Sequence, residues 1–120
     1  MAAVSIYRLS IYQWVTEQML TRTEFHVLLA LLDAPGHGYR IMQDVEALTD
    51  GDLRIGPGTL YTAIARLERA GLIDECVADT DRRRCYRVTR KGKAAAREEA
   101  ERFSTLVRAA RKRGLLPDAS

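Results

Sequence analysis

The chain has 120 residues, of which 47% are hydrophobic and 29% charged, and this is typical of one folded domain. Its best apolar run, residues 25–32, is far shorter than the roughly 18 residues of a membrane helix, and polar residues interrupt the N-terminus. No membrane span or signal peptide is therefore predicted, and a cytoplasmic location is expected. The net charge is only +3, but from Arg82 to Lys93 every charged residue is basic, so the positive charge is local.

Two amphipathic helices are predicted near the start of the chain. Residues 5–18 place aromatic and aliphatic side chains at helical spacing. Next, Thr21 and Glu24 form the capping-box pattern that begins a helix. The apolar positions of that helix follow at i, i+3, i+4 and i+7, and they are Phe25, Leu28, Leu29 and Leu32. The helix is expected to end at residues 34–36 because proline and glycine stand there.

Two more helices are predicted between a turn at His37-Gly38 and Gly71. The first has apolar positions at Tyr39, Ile41, Met42, Val45 and Leu48. The second begins at Pro57, whose fixed φ suits a first turn, and ends before Gly71, which tolerates the left-handed conformation. Its apolar stripe consists of Leu60, Ile64 and Leu67. If this stripe packs on the preceding helices, four residues point outward, namely Thr59, Thr62, Ala63 and Arg66.

Beyond Gly71 the apolar period changes to two, which predicts a β-hairpin. Centring its turn on residues 80–81 sets an apolar pair and an ion pair in one register. The facing pairs are Ile73 with Val88, Asp74 with Arg87, Glu75 with Tyr86 and Cys76 with Cys85. The two cysteines are either a disulfide switch or idle thiols, and idle thiols are more usual in a reducing cytosol. Three arginines fall at the hairpin tip, namely Arg82, Arg83 and Arg84.

A long final helix is predicted from a cap at Thr89 to about Arg113. Its small and apolar residues recur with heptad spacing at Ala96, Ala100, Phe103, Val107 and Ala110. Because a domain of this size cannot cover a helix of this length, the seam is expected to form the interface of a homodimer. Trp14 is also expected at this interface. The aromatic group of Tyr7, Tyr12, Trp14 and Phe103 belongs either to this dimer core or to a pocket for a flat aromatic effector.

The three helices predicted between Thr21 and Gly71, followed by a basic-tipped hairpin, predict a winged helix-turn-helix, a mostly α (α+β) fold with a two-stranded wing. The predicted division is an N-terminal interface helix in residues 1–20, the winged domain in 21–89, the dimerisation helix in 90–114 and a tail in 115–120. The helix after Pro57 would then enter a DNA major groove. Arg66 suits a guanine edge, while Thr59 and Thr62 suit bases or phosphates. The tip arginines would hold the DNA backbone or enter a minor groove.

Several sequence runs together resemble the PadR family of bacterial transcriptional regulators. They are Gly38-Tyr39-Arg40-Ile41, residues 56–61 and 66–73, residues 82–89, and Gly92-Lys93. The resemblance covers about residues 23–110, and it implies a homodimer held by the C-terminal helix, usually a repressor, of the smaller subfamily. It also implies that Tyr61 lies at the DNA face or its edge. Gly56 departs from the family pattern, since a capping serine is frequent there.

These features together predict a regulator that binds double-stranded DNA at a pseudo-palindromic operator. The alternative is a winged helix that serves as a protein–protein adaptor. Catalysis finds no support, because no serine, histidine and carboxylate group and no phosphate-binding loop are evident. No cofactor is expected, and no metal site either, since His26 and His37 have no partners at ligand spacing.

Overall fold

The computed structural model describes residues 19–76 and 84–118. The elements in chain order are α1 Arg22–Asp33, β1 Gly36–His37, α2 Gly38–Leu48, α3 Pro57–Arg69, β2 Ile73–Cys76, β3 Cys85–Val88 and α4 Arg90–Lys112. This confirms the predicted mostly helical fold with a small sheet and a long C-terminal helix. The predicted helix over residues 5–18 lies outside the described residues. Among the described helices, none is both long and apolar enough to cross a membrane.

Helix α1 is the central element of the domain, because it contacts α2, α3, β3 and α4. The predicted capping box is present: Glu24 N donates to Thr21 Oγ1 at 3.1 Å, and Thr21 N donates to Glu24 Oε1 at 2.9 Å. The predicted apolar stripe is partly wrong. Leu32 is exposed, whereas Val27 and Leu31 are buried. Since neighbours surround α1 on several sides, it buries a wider face than one stripe.

The core lies between helices α1 to α3 and the sheet, and α4 closes one side of it. Its fully buried large side chains are Tyr86, Leu28, Ile41, Leu60, Ile64, Leu67, Ile73, Val27 and Val45. Two apolar positions predicted for α2 are wrong as core residues, since Tyr39 and Leu48 are exposed. Both stand at the ends of an 11-residue helix, where the side chains project beyond the elements that pack on its middle.

The hairpin register predicted from the sequence is confirmed at all four pairs, from Ile73 with Val88 to Cys76 with Cys85. Arg87 Nε donates to Asp74 Oδ1 at 2.8 Å, as the predicted outer ion pair requires. The sheet has a third strand that the sequence did not predict, with Gly36 opposite Tyr86 and the order β1-β3-β2. Two residues are too few to show an alternating pattern, so β1 is a product of tertiary pairing.

The end of α3 and the start of α4 are joined at one junction. Gly71, at φ 76°, ends α3 with two bonds: its own N–H donates to Glu68 O, and Leu72 N donates to Leu67 O. Thr89 caps α4 as predicted, accepting from Gly92 N at 3.0 Å, and its hydroxyl donates to Gly71 O at 2.6 Å. Helix α3, the wing and α4 are therefore fixed to one another.

Candidate nucleic-acid interface

Helix α3 presents one face to the core and another to the outside. Leu60, Ile64 and Leu67 are buried, as predicted from their spacing. The prediction for Ala63 is wrong, because its methyl group is buried beside Ile64. Thr59 and Thr62 are exposed, as expected for residues that contact a ligand. Gly56 leaves the N-terminus without a side-chain cap, so the first turn of α3 keeps N–H donors for a partner such as phosphate.

Tyr61 lies at the edge of this outward face, where α3 meets the beginning of α2. The residue is 51% exposed. A Cβ atom placed on Gly38 would come within 2.7 Å of the Tyr61 hydroxyl oxygen and 3.3 Å of Leu60 Cδ2. Gly38 therefore provides the space in which the Tyr61 ring lies. Tyr39, also exposed, follows directly in the chain and was not recognised from the sequence as a surface residue.

Arg66 is also on the outer side of α3, but it has a partner that the sequence analysis missed. Its Nε lies 3.2 Å from Oε2 of Glu24, a residue that is only 3% exposed. The two residues, with Thr21, Thr23, Thr59 and Thr62, line a shallow depression between α1 and α3. The capping-box pattern predicted the bond between Glu24 and Thr21, but nothing local indicates a partner 42 residues away in the chain.

Arg84 is exposed at the tip end of the wing, directly before Cys85 of β3, and its Nε lies 3.6 Å from Glu75 Oε1. The neighbouring Tyr86 hydroxyl, and after it the Glu75 carboxylate, raises the pKa of Arg84. The other tip arginines, Arg82 and Arg83, lie outside the described residues. Their assignment to the DNA backbone stays a prediction from the sequence.

Cys76 and Cys85 are joined by a disulfide bond across the wing, with Cα atoms 5.1 Å apart. The facing of the two residues was predicted from the hairpin register, but the expectation of idle thiols is wrong for this structure. The bond closes a ring between two cysteines that are nine positions apart, with residues 77–84 between them. It therefore ties the two wing strands together at the point where the tip begins.

Reducing this bond is expected to lower the free energy of unfolding by about 2 kcal/mol, because the open hairpin gains entropy in the unfolded chain. Thermal unfolding with and without a phosphine reductant measures the difference, and thiol titration confirms the state of the cysteines. The Cys76→Ser/Cys85→Ser variant should unfold at the temperature of the reduced protein, and the reductant should not change its unfolding temperature. Equal unfolding temperatures for oxidised and reduced protein would contradict this expectation.

The predicted effector group is only partly described. Tyr7, Tyr12 and Trp14 lie outside the described residues. Phe103 stacks on Phe25 of α1, with ring centroids 5.3 Å apart and an angle of 23° between the planes. A cavity of about 310 Å³ adjoins this aromatic pair.

The heptad seam of α4 changes character along the helix. Ala96 was predicted to lie in the dimer seam, but it is buried in the core of its own domain. It therefore has no surface left to contact a second copy. Further along, Phe103 is 46% exposed and Leu106 is 64% exposed. Val107 and Ala110 are half-buried and Ala100 is exposed. The apolar surface left over on α4 therefore lies from about residue 100 onward.

No group of three or more metal-ligating side chains is found in residues 19–76 and 84–118. Three helices, α1 to α3, followed by a small antiparallel sheet, with one face of α3 exposed beside the wing, define the winged helix-turn-helix class. Residues 27–98 match the family model described as the transcriptional regulator PadR-like family. The chain belongs to this family of transcriptional regulators, as its sequence motifs indicated.

Individual relatives agree with the family assignment. The chain is 36% identical over 85 residues to the transcriptional regulator Rv3488 of Mycobacterium tuberculosis, covering 69% of this chain and 77% of that protein. A transcriptional regulator from Clostridium thermocellum superposes with a TM-score of 0.68 at 26% identity, covering 78% and 97% of the two chains. The fold also resembles that of Lactococcus lactis ZitR in complex with DNA, with a TM-score of 0.60, 23% identity and coverage of 80% and 61%.

Proposed function

We propose that this chain is a homodimeric repressor that binds a pseudo-palindromic operator in double-stranded DNA. The observation that carries this proposal is the outer face of α3, where Thr59, Thr62 and Arg66 follow at i, i+3 and i+7 while the opposite face fills the core. A helix held in this way presents hydrogen-bonding side chains to the base edges of a major groove. Fixed ends at Pro57 and Gly71 keep that face in one orientation.

The surroundings of α3 suit a polyanionic partner. Thr21 and Thr23, at the start of α1, lie beside the outer face, and the wing adds Arg84. Hydroxyl groups, helix N-termini and arginines are the groups that usually contact DNA phosphates. The likeness in fold to a protein solved in complex with DNA supports the same class of partner.

The interface with the second copy is assigned to the part of α4 from about residue 100 onward. Phe103 and Leu106 expose apolar surface there, and a symmetric pair of such helices would cover it. A homodimer would present two recognition helices to successive major grooves about one DNA turn apart. A small aromatic effector that relieves repression would bind next to the Phe25 and Phe103 rings, with Tyr7, Tyr12 and Trp14 as further walls. A cytoplasmic location remains a prediction.

The contribution of the wing is tested with Arg82→Ala. We expect weaker binding to every DNA sequence, and a slope of log affinity against log salt that is shallower by about 0.9, because one phosphate contact is lost. Mobility shifts at several salt concentrations measure both quantities, using a duplex from the region upstream of the coding sequence.

The matched control is Arg113→Ala, which removes the same charge at the far end of α4 and should leave the slope unchanged. If the chain is a protein–protein adaptor, the wild type and both variants should show no salt-sensitive retention on DNA or heparin. That result at low salt would reject the DNA-binding proposal.

A further inference from the structure

Glu24 is the one charged residue among the buried side chains of the described chain, and both of its carboxylate oxygens have partners. Oε1 accepts the capping bond from Thr21 N at 2.9 Å, and Oε2 faces Arg66 Nε at 3.2 Å. A buried carboxylate is tolerated only where a cation and hydrogen bonds compensate it. The compensating cation here comes from the helix proposed to read DNA.

The cap alone does not explain why residue 24 is charged. Glutamine serves equally well at the third position of a capping box, since its side-chain oxygen accepts the same backbone bond. An acid in the first turn also favours the helix dipole, but an exposed acid does so as well. What distinguishes Glu24 is that its second oxygen is directed at Arg66 rather than at water.

Arg66 retains donors for another partner while it is held in this way. Its side chain is 44% exposed, and it is on the same face of α3 as Thr59 and Thr62. A guanidinium is planar and rigid, so an ion pair at its Nε edge restricts the positions that the two terminal nitrogens can take. Those two nitrogens are the pair that binds the O6 and N7 atoms of guanine.

We propose that Glu24 is a positioning residue for DNA recognition, which holds the Arg66 guanidinium in place before a base edge arrives. This inference rests on the proposed DNA-binding function. Restricting the side chain beforehand lowers the entropy lost on binding the correct sequence. The carboxylate also repels phosphates near Arg66 and so weakens nonspecific binding. Both effects raise the ratio of operator affinity to nonspecific affinity.

The test compares Glu24→Gln with the wild type on two duplexes of equal length. One duplex is selected by the wild-type protein from a random pool, and the other is a scrambled version of it. We expect Glu24→Gln to lower the affinity ratio about tenfold, with weaker operator binding and unchanged or stronger binding to the scrambled duplex. A purely structural role of Glu24 would weaken both alike and would lower the unfolding temperature in proportion.

Arg66→Lys is the second variant, because it keeps a cation beside Glu24 but lacks the planar fork. Arg66→Ala is a poorer choice, since it leaves the Glu24 charge buried and unpaired. Arg66→Lys should lose discrimination by itself, and adding Glu24→Gln to it should weaken operator binding no further. Glu46→Gln is the matched control, because Glu46 pairs with Arg54 at 3.1 Å on the surface and its loss should not affect the ratio.

The outcomes separate the two claims. If the wild type discriminates between the duplexes but Glu24→Gln keeps its ratio, the positioning role is overturned and the DNA-binding proposal stands. An additive further loss in the double variant, or wild-type discrimination by Arg66→Lys, also overturns the positioning role. If the wild type binds both duplexes alike, both claims are rejected.

Discussion

Replacing Gly92 with alanine is expected to lower the free energy of unfolding by about 3 kcal/mol, because the core has no room for one more methyl group at this position. A Cβ atom on Gly92 would overlap the Leu72 carbonyl oxygen and lie 2.8 Å from Val88 Cγ1. The obstacle is backbone rather than a flexible side chain, so α4 would have to move away from the end of α3. Thermal or urea unfolding measures the loss, which corresponds to a fall of about 10 °C in unfolding temperature.

Gly58→Ala is the matched control for this prediction. Gly58 is also a first-turn glycine, in α3, but nothing lies within 4 Å of the Cβ that alanine would add. Alanine is favoured over glycine in a helix by about 0.5–1 kcal/mol, so this variant should be slightly more stable than the wild type. If both variants have the same stability, the close approach of α4 to Leu72 is not what requires glycine at position 92.

Leu106→Glu is expected to convert the proposed dimer to monomer with the fold of each copy intact. Leu106 is 64% exposed on α4, so its own domain gains little from it. In a symmetric dimer the change occurs twice, and losing the burial of two leucines at about 2 kcal/mol each raises the dissociation constant about 1000-fold. Equilibrium sedimentation at micromolar concentration measures the association, and circular dichroism checks the helix content. Operator affinity should fall when the dimer is lost, since a monomer contacts only one half-site.

Thr105→Glu introduces the same charge on the exposed face of α4 that lies opposite the predicted seam, and it should leave the dimer unchanged. Phe103→Asp is less informative than Leu106→Glu, because Phe103 also stacks on Phe25 within the protomer. A monomeric wild type would remove the dimer from the proposal. A dimer that tolerates Leu106→Glu but not Phe103→Asp would place the interface on another part of α4.

The candidate site could be predicted from the sequence where a local pattern determines it. The fixed ends of α3, its buried stripe and the outward direction of Thr59 and Thr62 all follow from helical spacing and from the properties of proline and glycine. Ala63 could not be placed in this way, because a small residue beside the stripe is equally suited to the core and the surface. The pairing of Glu24 with Arg66 was missed for a different reason, since it joins residues far apart in the chain.

What the sequence determined by itself was the order of the helices α1 to α4 and of the two wing strands, the capping of α1 and α4, the register of the wing and membership of the PadR-like family. These depend on neighbouring residues or on motifs that can be recognised in the sequence itself. Only the tertiary structure decided that β1 joins the sheet, that Cys76 and Cys85 are bonded, that Ala96 is in the core and that Glu24 holds Arg66. Each of these is a contact between distant segments, and its geometry is set by how the helices pack rather than by any local preference.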